Sequence, residues 1–342
     1  MTVHRMFTHV PASIVRIVVL AVALLGAPVA TAATLKIATI SPPGSSWMRL
    51  MRAGAEEIAE RTEGRVEFKF YPGGVMGDDA AVIRKIRFGQ LQGAALTVGA
   101  LTPFYTDIQL YNLPMLFRDF AEVDAVRAEL DPVISRGLED AGWVVFGLGE
   151  AGFAYAMSKR PGSTLEDARS QKVWVPADDV GALAAIEGFG ITPVPLSMAD
   201  VLTGLQTDLI EAVAVPPVGA LALQWHTQVD YLLDLPLLYI YGALTVEKKV
   251  FDRISDADQA VVREVMERQF AEITAVNRSD HESALAALRS QGIDVLPPPD
   301  DAALEAWRAG GAQARANMLE QGAVTPELAL RVVEILEAYR SR

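Results

Sequence analysis

Short β-branched runs alternate with segments of helical periodicity through the first two-thirds of the chain. "LKIATI" (35–40) reads as a strand. After the loop "SPPGSS", Ser46 is placed to cap a helix whose apolar positions include Trp47, Leu50, Met51, Ala55, Ile58 and Ala59. That helix stops at Gly64, where glycine takes a left-handed cap most easily. "RVEFKFY" (65–71) alternates apolar and polar residues as a half-exposed strand does. "PGGVMGDD" is a turn, "AAVIRKIRFGQ" a helix and "GAALTV" a buried strand. The pattern continues as helix 119–141 with Asp119 as its cap, strands 143–147, 153–158 and 172–175, helices 179–188 and 198–206, and strands 210–215 and 238–246. This alternation predicts an α/β fold with mostly parallel strands.

The tail differs. From Ser255 no proline or glycine occurs until Gly292, and Val261, Val265, Met266, Phe270, Ile273 and Val276 recur at helical spacing. One continuous helix of ~36 residues, ~54 Å long at 1.5 Å per residue, is predicted; it is long enough to brace two domains. "GIDVLPPP" follows as a short strand, then two helices, the last opened by Thr325 as cap with Pro326 at its first position.

The N-terminus carries a different signal. Arg5 and Arg16 precede the apolar run "IVVLAVALLGAPVA", and small residues at 30 and 32 suit peptidase cleavage after Ala32, so residues 1–32 read as a secretory signal peptide. The expected mature protein is periplasmic, without stable membrane insertion after cleavage. The chain holds 30 basic and 43 acidic residues; losing Arg5 and Arg16 leaves 28 against 43, a net charge near −15. No basic stripe is available to displace counterions from phosphates, which argues against a nucleic-acid partner. Cysteine is absent, so disulfides and thiolate metal sites are excluded. About 310 mature residues bury an adequate core without them.

Few residues invite catalysis. His4 and His9 lie in the leader, leaving His226, read as a packed or capping residue, and His281, read as solvated on the long helix. "GLGEAG" (147–152) matches a dinucleotide fingerprint, but the mechanism needs a helix to open there, and the strand-like "FAYAMSK" follows instead. Its glycines are expected to let strands cross between domains. Asp78–Asp79 and Asp178–Asp179 are expected at helix N-termini rather than on a metal. Asn277-Arg278-Ser279 fits the glycosylation acceptor pattern, but it sits in the long helix, where a chance match is the expected reading. The reading is of a binding protein, not an enzyme, with no cofactor and no metal.

The stretches "SSWMRLMRAGAEEIAERTEGRVEFKFYPGGVMG", "LYNLPMLFRD", "GFAYAMSKRP", "KVWVP" and "DVLTGLQTDLIEA", in this order, resemble the DctP-type solute-binding proteins of TRAP (tripartite ATP-independent periplasmic) transporters. The resemblance covers nearly the whole mature chain. It implies a two-domain periplasmic-binding-protein fold with hinge strands and a long bracing helix. It also implies closure on a small-molecule ligand and delivery to the membrane subunits of a TRAP transporter. The domains are expected as 33–152 plus about 242–280, and 153–241 plus about 281–342.

In that family an arginine in the middle of K-[IV]-R-[VT]-P clamps a ligand carboxylate, a second arginine often follows "GF", and an asparagine often follows the LQT helix and strand. This chain has Trp174, Ala154 and Val215 at those places. A carboxylate without a cation partner costs several kcal/mol to bury. The expected ligand is therefore largely apolar or aromatic (an aromatic acid, a fatty acid or a terpenoid) in contact with Trp174, Phe153, Tyr155, Val215, Trp47 and Trp225. Lys172 is the nearest substitute cation in sequence. Two alternatives remain open: an aromatic cage for a quaternary amine with Glu150 or Asp178 supplying charge, and a lipid carrier or sensory protein on the same scaffold.

Overall fold

The computed structural model describes residues 32–342; the leader expected at 1–32 lies almost wholly outside the described residues. Nine strands form one sheet: β1 (Ala33–Ala38), β2 (Val66–Tyr71), β3 (Gly93–Thr97), β4 (Trp143–Ser158), β5 (Val173–Pro176), β6 (Pro193–Leu196), β7 (Ala212–Val215), β8 (Tyr231–Glu247) and β9 (Asp294–Leu296). Their order is β2-β1-β3-β8-β4-β7-β5-β6, with β9 paired to β8. The β1–β2, β1–β3, β5–β6 and β5–β7 pairs are parallel, whereas β4 and β8 run antiparallel to each other at the centre. The α/β reading holds, with an antiparallel middle joining two parallel flanks.

The centre is where sequence pattern and structure part. The residues read as two strands, 143–147 and 153–158, form the single strand β4. Its register against β8 shifts between Val145 and Gly147, between Glu150 and Gly152, and twice more before Met157. Each bulge breaks the period-two alternation on which strand recognition rests. Gly152 takes φ 101°, a conformation few other residues adopt. No helix opens at "GLGEAG", so its glycines serve the strand crossing and the fingerprint geometry is missing.

The long helix is continuous from Asp256 to Ser290, 35 residues, with Ser255 accepting from the Asp258 amide at 3.2 Å as its cap. It packs along β4, the helix Ser46–Arg61 and the helix Pro217–Ala222, and so bridges both flanks of the sheet. Val265, Met266, Phe270 and Ile273 bury against Val144 and Phe146 of β4 and Met51 and Ile58 of the first helix. Each such side chain contributes about 1.5–3 kcal/mol. Gly147 makes this approach possible: a Cβ there would lie 2.1 Å from Cγ of Phe270.

Helix starts follow the carboxylate and hydroxyl positions closely. Asp119 accepts from Glu122 N at 2.9 Å, Asp78 from Ala81 N at 2.7 Å, and Asp179 from Ala182 N at 2.9 Å, each satisfying a free amide of a first turn. Ser45, not Ser46, caps the first helix, accepting from Met48 N; Ser46 is already helical. His281 is buried rather than solvated, edge-on to Phe120 and 3.4 Å from the Tyr155 hydroxyl, because that face of the long helix lies against β4. Burial lowers its pKa, against the opposing charge of Glu150. His226 bonds the Ala220 carbonyl at 3.0 Å, consistent with a packed histidine. Among the described residues, no helix is long and apolar enough to cross a membrane.

Candidate functional site

A cleft of about 970 Å³ opens where β4 and β8 cross between the two flanks of the sheet. Its volume lies at the upper end of the range for ligand pockets. Of the residues singled out in the sequence, Trp47, Glu150, Trp174, Val215 and Trp225 share its wall; Phe153, Ala154 and Tyr155 do not.

Trp174 sits in β5 opposite Val194 of β6. Its Nε1 donates to the Leu196 carbonyl at 3.0 Å, and its ring packs edge-on against Trp225 at 5.1 Å. Only 8% of the residue remains exposed. With the indole N–H satisfied by the backbone, it offers a ligand an apolar edge and a π-face rather than a donor. Val215, at the end of β7, and Trp225, opening the 3-10 turn Trp225–Gln228, extend the apolar wall. Trp47 reaches the cleft from the first turn of the Ser46–Arg61 helix and packs edge-on to Phe270 at 6.3 Å.

The three β4 positions that leave the cleft lie among the register shifts described above. Phe153 packs on Phe120 at 4.9 Å and on Tyr239 at 5.8 Å. Ala154 is wholly buried. The Tyr155 hydroxyl meets His281, and burial, reinforced by the charge of Asp234, pushes its pKa up to about 12.

Glu150 is on the wall, but its charge is already used. Arg278 of the long helix approaches its carboxylate through Nη2 at 2.9 Å and Nε at 3.1 and 3.2 Å, and Tyr239 donates to it at 2.9 Å. Arg278 also bonds Asp124 and lies over the Phe120 ring at 4.7 Å. Asn277 donates to the Glu150 carbonyl. Together these contacts tie the long helix to the bulge in β4. Asn277, tied down by that bond, also lines the cleft. Arg127 completes the cluster, donating to the Tyr239 hydroxyl at 2.9 Å and to Asp131.

At the opposite side of the cleft, Gln109 donates to Asp179 at 2.6 Å and to Thr102 at 3.0 Å. Burial pushes Asp179 above the ordinary carboxylate range, against the donors Ala182 and Gln109. Gly181 is needed for this contact, since a Cβ there would lie 2.8 Å from the Gln109 side chain. The sequence marked Asp179 only as a helix cap. The Gln109 partnership is a pairing 70 residues apart that no local pattern reveals.

No lysine, arginine or histidine lines the cleft among the described residues. Lys172 is turned away, its Nζ on the Asp208 carbonyl at 3.1 Å, and Lys159 pairs with the Asp208 carboxylate. Asp178 is likewise absent from the wall. Among the described residues, no group of three or more histidine, aspartate or glutamate side chains could hold a metal ion.

The family model for bacterial extracellular solute-binding protein family 7, DctP, matches residues 37–321. A solute-binding protein of Chromohalobacter salexigens is 24% identical over 270 residues, covering 78% of this chain and 80% of its own. The sialic acid-binding periplasmic protein SiaP of Vibrio cholerae is 21% identical over 277 residues, covering 80% of this chain and 85% of its own. A TRAP periplasmic solute-binding protein of Desulfovibrio salexigens, solved with bound orotic acid, superposes with a TM-score of 0.82 at 17% identity over 90% of this chain and 99% of its own.

Proposed function

The chain belongs to bacterial extracellular solute-binding protein family 7, the DctP family, and from that premise we propose that it is the periplasmic receptor of a TRAP-type transporter whose ligand is largely apolar or aromatic. The observation that carries the ligand class is the cleft wall: tryptophans 47, 174 and 225 lie on it and, among the described residues, no cationic side chain does. Relatives named for sialic acid or solved with orotic acid take organic acids. Here the places where the family holds a carboxylate are occupied by Trp174, Ala154 and Val215. A small dicarboxylate entering this cleft gives up its hydration without a counter-charge, at several kcal/mol per ion. An apolar body gains about 25 cal/mol for each Å² it removes from water.

In this reading the lobes are 33–152 plus about 242–280, and 153–241 plus about 281–342. They hinge through the bulged strands β4 and β8 and are braced by the long helix. The two carboxylates expected to serve a quaternary amine are not available to it, since Glu150 is paired with Arg278 and Asp178 does not reach the wall. Membrane subunits of the transporter are the receiving partner. Small-angle scattering on the mature protein tests the reading: a saturating apolar ligand reduces the radius of gyration, and Trp174→Ala removes the response. A proven ligand that binds without compaction sinks the receptor mechanism.

A further inference from the structure

The cleft wall carries three carboxylates, Glu150, Asp179 and Asp280, against no cationic side chain among the described residues. Glu150 is paired with Arg278. Asp280 is half-buried and takes a long contact of 3.4 Å from the Ser46 hydroxyl. Asp179 is only 8% exposed, and none of the groups that act on it is a cation. A carboxylate buried without a counter-charge is unfavourable, so this one marks a place where a positive group belongs.

Its local geometry leaves one oxygen free. Asp179 precedes the helix Val180–Gly188, and its Oδ1 accepts from the Ala182 amide at 2.9 Å and from Gln109 Nε2 at 2.6 Å. Gln109 is itself fixed by Thr102 at 3.0 Å and Asn112 at 3.4 Å. Helix capping therefore accounts for Oδ1. Oδ2 accepts from no side chain among the described residues, and it is not one of the unpaired atoms that are shielded from solvent. Glycine at 99 keeps it uncovered, since a Cβ there would lie 2.6 Å from Oδ2. Further acid stands close by: the charges of Asp78 and Asp178 both act on the buried Asp79, which opens the helix Asp79–Arg87. Four carboxyl groups thus gather where two helix starts approach, and each helix end offsets only ~0.5 of a charge. A cation is drawn to this corner and an anion is repelled.

We propose that the ligand carries a primary or secondary ammonium group on its apolar body, and that Asp179 binds this group through Oδ2. The inference rests on the apolar-cleft reading and names the polar group of the ligand. An ammonium supplies N–H donors and the missing counter-charge together, which makes its hydrogen bonds charge-assisted. A quaternary amine supplies the charge without a donor, and a carboxylate supplies neither.

The test is calorimetric titration of the mature protein with probes that share an eight-carbon chain: octylamine, octyltrimethylammonium, 1-octanol and octanoate. In the wild type octylamine binds at least about tenfold more tightly than 1-octanol. Octyltrimethylammonium binds more weakly than octylamine, and octanoate more weakly than 1-octanol. Asn and Ser cap helices without carrying charge, so Asp179→Asn and Asp179→Ser keep a cooperative thermal transition while the preference for octylamine over 1-octanol falls to about one. Equal binding of octylamine and 1-octanol by the wild type, a comparison that needs no variant, overturns the inference and leaves the apolar cleft standing. Equal binding of octyltrimethylammonium and octylamine overturns the N–H bond. A preference that survives in both Asp179 variants, or is lost in Asp280→Asn instead, overturns the assignment to Asp179, and tighter binding of octanoate than of octylamine overturns the charge argument. Failure of octylamine and 1-octanol alike to bind overturns the apolar-cleft reading and this inference with it.

Discussion

Arg278→Met is expected to weaken the fold far more than removal of an ordinary surface arginine, because of what it leaves behind. The Glu150 side chain is 1% exposed and takes three of its four close hydrogen bonds from Arg278. Without the guanidinium, a buried carboxylate keeps only the Tyr239 hydroxyl. Breaking a buried pair from one side costs about 3–5 kcal/mol. Arg278 is itself a quarter exposed, and Arg127 remains on the same tyrosine hydroxyl, so the lower end, about 3 kcal/mol, applies. Glu150→Gln in the same chain removes the stranded charge while Gln still accepts from Tyr239, so the double variant recovers about 2 kcal/mol. Arg331→Met is the control, since its partner Glu129 and the arginine are both about half exposed; it costs under about 0.5 kcal/mol. Urea unfolding of the mature forms reads these differences as shifts in midpoint at constant slope. The reasoning is refuted if Arg278→Met costs no more than Arg331→Met, or if the double variant is no more stable than the single one.

Two further outcomes follow from the packing and the charges. Gly147→Ala sets a methyl group 2.1 Å from Phe270 Cγ and is expected to cost about 1–3 kcal/mol; Phe270→Leu should relieve part of that loss in a double-variant cycle, and additive effects would contradict the contact. Burial alone would raise the pKa of Glu122, but hydrogen bonds from Arg340 and the Arg118 backbone hold it below the ordinary value. A carboxyl depressed in the folded state contributes stability above its unfolded pKa of about 4.3 and loses it as pH falls through the folded value. Wild type should thus lose more stability between pH 7 and acid than Glu122→Gln, and parallel curves would remove the ion pair from the account.

The fold was legible wherever a residue acts on its near neighbours. Asp78, Asp119, Asp179, Ser255 and Thr325 cap helices through bonds spanning three residues, and the proline-free tail reads directly as one long helix. The centre was not, because the bulges in β4 reset alternation several times within 16 residues. Phe153 and Tyr155, expected in the cleft from the family resemblance around "GF", instead pack on Phe120, Tyr239 and His281. Trp174 was expected to point out of the Val173–Val175 row, yet all three residues line the cleft. Its bond to Leu196 depends on a strand 22 residues away and left no local trace. The signal peptide expected at 1–32 falls almost wholly outside the described residues.

The central claim concerns the chemistry of the cleft, and a thermal-shift panel on the mature protein reaches it most directly. Succinate and D-glucuronate are compared with aromatic, long-chain and terpenoid ligands at equal concentration. A ligand at a hundred times its dissociation constant adds about 2.7 kcal/mol to the stability of the form that binds it. The account predicts stabilisation by apolar members, abolished in Trp174→Ala, and no response to the small anions. Stabilisation by succinate or D-glucuronate alone would contradict it and require a cation at the cleft that the structure does not place there.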